Sequence, residues 1–240
     1  MAVDYEQQKV FWEGIRERRD PTHPAVAAFA RHKLDILLRV LPDGEARPRT
    51  MLEVGAGNGF FSHTFAKSFD LTCVDFSQNM LDLNPMPAER KVQGDAERLP
   101  FEDKSFDVVF CGNLLHHLVE PLVAVREMAR VARSFVVLVE PNTVNPLMLA
   151  FGVLKPAERG TLKFTQRYVR KLGERAGLRP RHVVTQGAVL PNKTPAPLVS
   201  ALSLLERPSF LGFYHIAVFD VPSLTPPQTA SARPTSAPAT

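Results

Sequence analysis

Three glycines alternate between Gly55 and Gly59 in the stretch M-L-E-V-G-A-G-N-G-F-F, residues 51–61. A short apolar strand (Met51, Leu52, Val54) runs into them, and the helix-compatible run Phe60–Ala66 follows. Glycines placed this way let the chain turn sharply and let a ligand lie against bare backbone, with N–H groups of a helix start pointing at it. This is the layout of a nucleotide-type site at the end of a first parallel strand. Asp75 ends a second short strand, Leu71–Val74, twenty residues after Gly55. Nucleotide-binding βαβ units place a carboxylate for ribose hydroxyls at that distance. Alternatively, Asp75 caps the helix expected over Ser77–Leu83, a role open equally to Ser77. Two imidazoles, His116 and His117, lie just past a fourth apolar strand, Phe106–Cys111. Either is suited to act as a base near neutral pH or to orient a substrate. The alternative is that one packs or caps the next helix and the other is solvated.

The glycine spacing narrows the nucleotide. The dinucleotide fingerprint G-x-G-x-x-G puts its third glycine five positions after the first; here it is four after, and Glu53 stands in front. The resulting E-x-G-x-G-x-G resembles the first motif of class I S-adenosylmethionine-dependent methyltransferases. A second segment, G-D-A-E-R-L-P-F-E-D-K-S-F-D-V-V at 94–109, resembles the stretch that follows the second strand in the same superfamily. The likeness is strongest to the branch holding ubiquinone/menaquinone C-methyltransferases and many small-molecule methyltransferases. With the segment after strand four, the resemblance spans about Met51 to Asn142.

The resemblance implies S-adenosylmethionine as cofactor and a site for each of its parts. Glu53 would orient the amino-acid end, with Gly55, Ala56, Gly57 and Gly59 allowing close approach. Asp75 would hold the ribose, with Phe76 on the adenine face or in the core. Asp95 would accept from the adenine amino group and the Ala96 N–H would donate to the ring. A carboxylate beside an amide complements the adjacent donor and acceptor on adenine's edge. Gly112 and Asn113, at the end of strand four, would touch the methionine part. The catalytic candidates are His116 and His117, with His23 a weaker one; Glu140 and Asn142 are placed to hold substrate polar groups. No metal is expected, because the acidic cluster of catechol-type O-methyltransferases has no clear counterpart. The [D/N/S]-P-P-[Y/F] motif of base-amine methyltransferases is replaced by Gly112-Asn113-Leu114-Leu115.

These residues need a scaffold, and 240 residues can bury one large core. An amphipathic helix is expected over Asp4–Arg18 and a second over Ala25–Leu41, with Val26, Phe29, Ala30, Leu34, Leu37 and Leu38 at helical spacing and Lys33 snorkelling from its edge. The two form either a lid over the ligand or a cover for one sheet face. A helix over Glu120–Arg133 and a strand over Phe135–Val139 follow strand four. The turn between them lacks the glycines of R-V-L-K-P-G-G, so it must be tighter than in relatives or differently built. Leu147–Leu154 is apolar and Glu158–Arg175 basic and helix-compatible; both read as a substrate-side cap or as a packing insert. Strands over Arg179–Leu190 and Phe210–Val221, with a short helix over Leu198–Leu205 between them, complete the chain.

The expected fold is α/β, a Rossmann-like, doubly wound, seven-stranded mostly parallel sheet with helices on both faces and a helical N-terminal cap. The resemblance implies strand order 3-2-1-4-5-7-6. Residues 1–221 are expected to form one methyltransferase domain: cap 1–45, cofactor-binding core 46–142, and substrate-side insert with C-terminal strands 143–221. Residues 222–240, rich in Pro, Ser, Thr and Ala, read as a disordered tail. Cys73 and Cys111 sit in apolar runs, as buried thiols of a reducing compartment do. The longest apolar run, Pro146–Leu154, is too short to span a membrane, and the first residues lack a signal layout; a cytoplasmic location without integral membrane association is expected. A net charge of +4, thinly spread, argues against nucleic acid as partner. The function expected is methyl transfer from S-adenosylmethionine to a small, partly apolar metabolite. A cofactor-binding module without turnover, an RNA-directed methyltransferase acting through the basic segment Lys163–Arg181, and a nicotinamide oxidoreductase are the alternatives. Acceptor, attacking atom and oligomeric state are not encoded in these motifs.

Overall fold

A computed structural model describes residues 10–14 and 19–222. The helix expected over 4–18 and the tail expected at 222–240 therefore fall largely outside the described residues. Helix α1 (Pro24–Val40) opens the described fold. Then come β1 (Thr50–Val54), α2 (Ser62–Phe65), β2 (Asp70–Asp75), α3 (Gln78–Asp82), β3 (Lys91–Gln93) and β4 (Phe106–Gly112). The second half holds α4 (Pro121–Val131), β5 (Ala132–Pro141), α5 (Pro146–Leu154), α6 (Gln166–Arg175), β6 (Arg179–Gln186), α7 (Val199–Ser203) and β7 (Tyr214–Asp220). The sheet order is β3-β2-β1-β4-β5-β7-β6, as expected. β7 alone runs against its neighbours.

The strands read as unbroken apolar runs because both faces are covered. Val108 and Phe110 of β4 join the core under α1, while Val109 and Cys111 join the core under α4 and α6; β5 divides Val137 and Val139 from Val136 and Leu138 in the same way. An aromatic chain welds α1 to its face. Phe29 meets Phe61 at 5.1 Å and Tyr214 at 4.9 Å between ring centroids, and Phe61 and Phe65 each meet Phe110 at 4.8 Å. Helix α1 is thus a cover for the sheet rather than a lid. His23 caps it, Nδ1 accepting from the Ala25 N–H at 3.1 Å, which removes His23 from the catalytic candidates. Cys73 and Cys111 are free, buried thiols.

Several local expectations are corrected. Lys33 does not snorkel: it is fully buried, and its Nζ lies 3.9 Å from the Phe29 ring centroid and 4.9 Å from that of Tyr214. Its ammonium has no hydrogen-bond partner among the described residues, so the aromatic faces are its main compensation there. Helix α4 passes straight into β5 at Val131–Ala132 with no turn at all. The missing glycines are absorbed by a register shift between Phe106 and Val108, which pair with Ala132 and Phe135. The segment after Glu158 is not one helix. A 3-10 stretch, Pro156–Lys163, ends at buried Phe164, and Thr165 starts α6 by accepting from the Tyr168 N–H. β6 stops at Gln186, four residues early, because Gly187 turns away at φ +118°.

Burial pulls the Lys33 ammonium down to about 8, against a weaker upward pull from Glu206. The folded value is depressed, so the charge opposes folding below about 8 and the penalty fades as pH rises toward the unfolded value. Lys33→Met is expected to raise stability by ~1–3 kcal/mol at pH 7, with the gain shrinking above pH 8. Chemical denaturation at pH 7 and pH 9.5 checks this.

Candidate functional site

The C-terminal ends of β1, β2, β3 and β4 converge on one cavity of about 420 Å³. At the end of β1, Gly55, Gly57 and Gly59 all take left-handed φ, at +72°, +50° and +88°. The glycines do different work there. A Cβ on Gly55 would come within 2.8 Å of Leu114, so its absence lets the exits of β1 and β4 meet. A Cβ on Gly59 would reach 2.6 Å from Pro85; that glycine serves packing, and the cavity wall runs instead through Gly55, Ala56, Gly57, Asn58 and Phe60.

Asp75 decides between its two readings. Its Oδ2 accepts from the Gly57 N–H at 2.8 Å and its Oδ1 from the Ser77 N–H at 2.9 Å. The cap of α3 is Ser77, whose Oγ accepts from the Met80 N–H. Asp75 is instead a tie between the glycine loop and the exit of β2, and it lines the cavity with Phe76. Burial raises its pKa against the pull of these N–H donors. Past β3, Asp95 and Ala96 reach the same wall, with the Asp95 Oδ1 accepting from the Glu97 N–H at 2.9 Å. Past β4, Gly112 and Asn113 complete it. Asn113 is left-handed at φ +57°, and its Oδ1 is buried without a hydrogen-bond partner among the described residues. An unmet acceptor on a cavity wall is a place for a ligand donor.

Glu53 stands apart from this set. Its carboxyl turns into the protein beneath the loop, accepting from Ser62 Oγ at 2.7 Å and lying 3.9 Å from Cys73 Sγ, and it is not on the cavity wall. Burial, helped by the charge of Asp75 and opposed by the Ser62 hydrogen bond, pushes it up to about 8.

The opposite wall carries the two histidines on a 3-10 turn, Leu115–His117. Both are buried and both line the cavity. His116 Nδ1 lies 2.6 Å from Glu140 Oε2, and its Nε2 lies 3.3 Å from Glu158 Oε2. Burial alone would lower the His116 pKa, but the charge and hydrogen bond of Glu140, joined by Glu158, raise it. Both ring nitrogens of His116 are thus engaged by carboxylates. Glu140 is spent as well, its Oε1 accepting from the Leu114 and Leu115 N–H groups at 3.1 and 2.8 Å. Asn142 is also structural: its Nδ2 donates to the carbonyls of Phe210 and Gly212, and its Oδ1 accepts from the Val144 N–H. Neither Glu140 nor Asn142 is left to hold substrate.

The remaining wall comes from places where sequence reasoning named no site residue. Leu147, Met148 and Phe151 face in from α5, Glu158 from the 3-10 stretch, Leu190–Lys193 from the loop after β6, and Trp12 from the N-terminal segment. That segment is pinned from several sides. The Arg19 guanidinium donates to the carbonyls of Pro191 and Thr194, Asn58 to Arg19, and Asn79 to Glu13, while the Trp12 ring meets His117 at 5.0 Å. Of the described N-terminal residues, Trp12 reaches the cavity and α1 does not. The apolar run of α5 was visible as a stripe; nothing in the text around Trp12 or Pro191 sets them apart.

Residues 52–139 match a family model described as a methyltransferase domain. A demethylmenaquinone methyltransferase of Staphylococcus aureus is 33% identical over 156 residues, covering 61% of this chain and 64% of that protein. The match thus spans less than two thirds of that relative's length. In three dimensions the chain resembles a Thermotoga maritima protein described as an S-adenosylmethionine-dependent methyltransferase, possibly acting on histamine. That likeness has a TM-score of 0.63 at 17% identity, over 82% of this chain and 92% of that one. It also resembles the magnesium protoporphyrin IX methyltransferase of Synechocystis, solved with S-adenosylmethionine bound, at TM-score 0.53 and 13% identity over 90% of each chain. The likeness to methyltransferases thus centres on residues 52–139. The β1 glycine loop, Asp75, Asp95 and the exit of β4 all fall inside that stretch.

Glu53 sets a pH dependence for this domain. Its folded pKa lies above the unfolded value, so its stabilising share is full below about pH 4.5 and is lost as pH rises through about 8. Glu53→Gln is expected to flatten that slope and to raise stability at pH 8 by on the order of a few kcal/mol relative to the parent, with little difference at pH 5. Thermal melts across that range test it.

Proposed function

We propose that this chain transfers a methyl group from S-adenosylmethionine to a small, partly apolar acceptor by in-line displacement. The observation that carries the reading is the convergence of Gly57, Asp75, Asp95 and Asn113, from four strand ends, on one cavity. The donor set fits the cofactor part by part. Asp75 keeps lone pairs for a ribose diol after its two N–H contacts, and Asp95 with the Ala96 N–H matches the edge of adenine. The unmet Asn113 Oδ1 suits the cationic amino-acid end.

When bound, S-adenosylmethionine supplies a methyl group already activated on a sulfonium. The chain's task is then alignment and exclusion of water, and ideal alignment is worth about 7–11 kcal/mol. The apolar half of the cavity suits this. Leu147, Met148 and Phe151 from α5, with Trp12 and Leu190, enclose the space beyond Asn113 and leave few sites for water. His116, fixed by Glu140, would orient the acceptor atom. The organisation we infer is one unit through residue 221, with the cofactor side built from 46–142 and the acceptor side largely from 143–221. Acceptors of the size and apolarity of a quinone ring are the first class to screen, because the Staphylococcus aureus relative is a demethylmenaquinone methyltransferase. No helix among the described residues is long and apolar enough to cross a membrane.

Calorimetry with S-adenosylmethionine, S-adenosylhomocysteine and reduced nicotinamide cofactor tests the reading. Binding of the two sulfur compounds alone is expected, and Asp75→Ala should weaken both at least tenfold. Binding of the nicotinamide instead, or unchanged affinity in the variant, would overturn the assignment.

A further inference from the structure

The exit of β4 and the cap bring three side chains together that are far apart in sequence. His116 and His117 sit on the 3-10 turn after β4, and Glu158 comes from the 3-10 stretch after α5. One ligand atom from each lies within 4.8 Å of the others, and all three face the cavity. We propose that this cluster binds a divalent first-row transition-metal ion, with a coordination position open to the acceptor side of the cavity.

The arrangement around His116 points to a ligand. Metal-bound histidines characteristically give their other ring N–H to a carboxylate, which fixes the tautomer and the ring. Glu140 occupies that place on Nδ1, at 2.6 Å, and is itself locked by two backbone N–H groups. The opposite nitrogen, Nε2, is thereby aimed at Glu158 Oε2, 3.3 Å away. Two ligands each ~2.0–2.2 Å from one tetrahedral zinc-like ion are separated by roughly 3.3–3.6 Å, so the gap is close to the width that a shared cation needs. The His117 ring, tilted 46° to that of His116 at 4.0 Å between centroids, offers a third ligand atom within 4.8 Å of the other two. The charges agree. Two carboxylates, Glu140 and Glu158, flank this buried turn, and a divalent cation would balance them.

The donor set selects the class of ion. Two imidazoles and one carboxylate suit Zn²⁺, Fe²⁺, Co²⁺ or Mn²⁺, whereas Mg²⁺ and Ca²⁺ favour all-oxygen sites. Bound here, the ion would staple the cap to the core and offer its open face to an oxygen or nitrogen of the acceptor. The site stands on its own geometry and does not require the proposed methyl transfer.

The test uses the untagged full chain, stripped with chelator and dialysed, titrated with zinc chloride by calorimetry and with cobalt chloride by visible absorption. One equivalent of zinc and cobalt bands of a low-coordinate nitrogen/oxygen site are expected. Glu158→Ala and His117→Ala should each weaken zinc at least tenfold while circular dichroism stays unchanged, and Glu174→Ala, an exposed acid on α6, should leave zinc binding as it was. Stoichiometric zinc without S-adenosylhomocysteine binding would still support the metal site while removing the cofactor reading. S-adenosylhomocysteine binding without zinc would overturn the metal site, as would zinc binding that both ligand variants leave unchanged.

Discussion

The carboxylate of Glu140 fixes one wall of the cavity. It stands at the penultimate position of β5, it is fully buried, and it spends both oxygens at once. One oxygen gathers the N–H groups of Leu114 and Leu115, closing the turn that leaves β4. The other holds His116. An uncompensated buried carboxylate is costly, so β5 and the β4 exit must arrive together for either to be stable. That coupling forces Asn113 into its left-handed conformation, with its N–H given to Val139 at 2.8 Å. The left-handed bend in turn presents the Asn113 side chain, and then the two histidines, to the cavity. Asp75 does the matching work on the near wall, where one carboxylate joins the glycine loop to the β2 exit.

The two carboxylates show how a polar site is built at the edge of an apolar sheet. The sheet interior has no hydrogen-bonding capacity left over, because strand pairing consumes the backbone and the side chains are apolar on both faces. Polar groups therefore concentrate where strands end and N–H groups fall free. Each such N–H is satisfied either by a fixed carboxylate or by a ligand. Asp75 and Glu140 take the structural share; what remains faces the cavity.

The part of this fold that was legible in the sequence is the part that rests on local rules. Short apolar runs marked β1, β2, β4 and β5. The alternating glycines marked a loop that must turn left, and the spacing from Gly55 to Asp75 marked a βαβ unit. Lys33 was misread because helical spacing places it at the edge of the apolar stripe. Only the tertiary arrival of Tyr214 from β7 closes that edge and leaves the ammonium on two aromatic faces. Glu140 and Asn142 were misread for the same reason. A polar residue at a strand end looks available until the backbone groups it serves, on β4's exit and on the loop before β7, are placed beside it. Glu158 carried no local signal at all, since its partner His116 lies more than forty residues away.

The division of the cavity between chain segments has a functional consequence. The polar half is drawn from strand ends of one contiguous stretch, where any change disturbs sheet packing as well as binding. The apolar half is drawn from α5, the loop after β6 and Trp12, which contribute little to the central core and meet one another mainly through the cavity and through clasps such as Arg19 on Pro191 and Thr194. Substitutions at Leu147, Phe151 or Leu190 can therefore reshape the acceptor space at small cost to folding, while Asp75 and the glycine loop stay fixed. Glu158 is the exception, since it is the point at which the variable half touches the fixed one through His116. Whatever occupies the space between those two side chains, proton or metal ion, sets how firmly the acceptor half closes on the other.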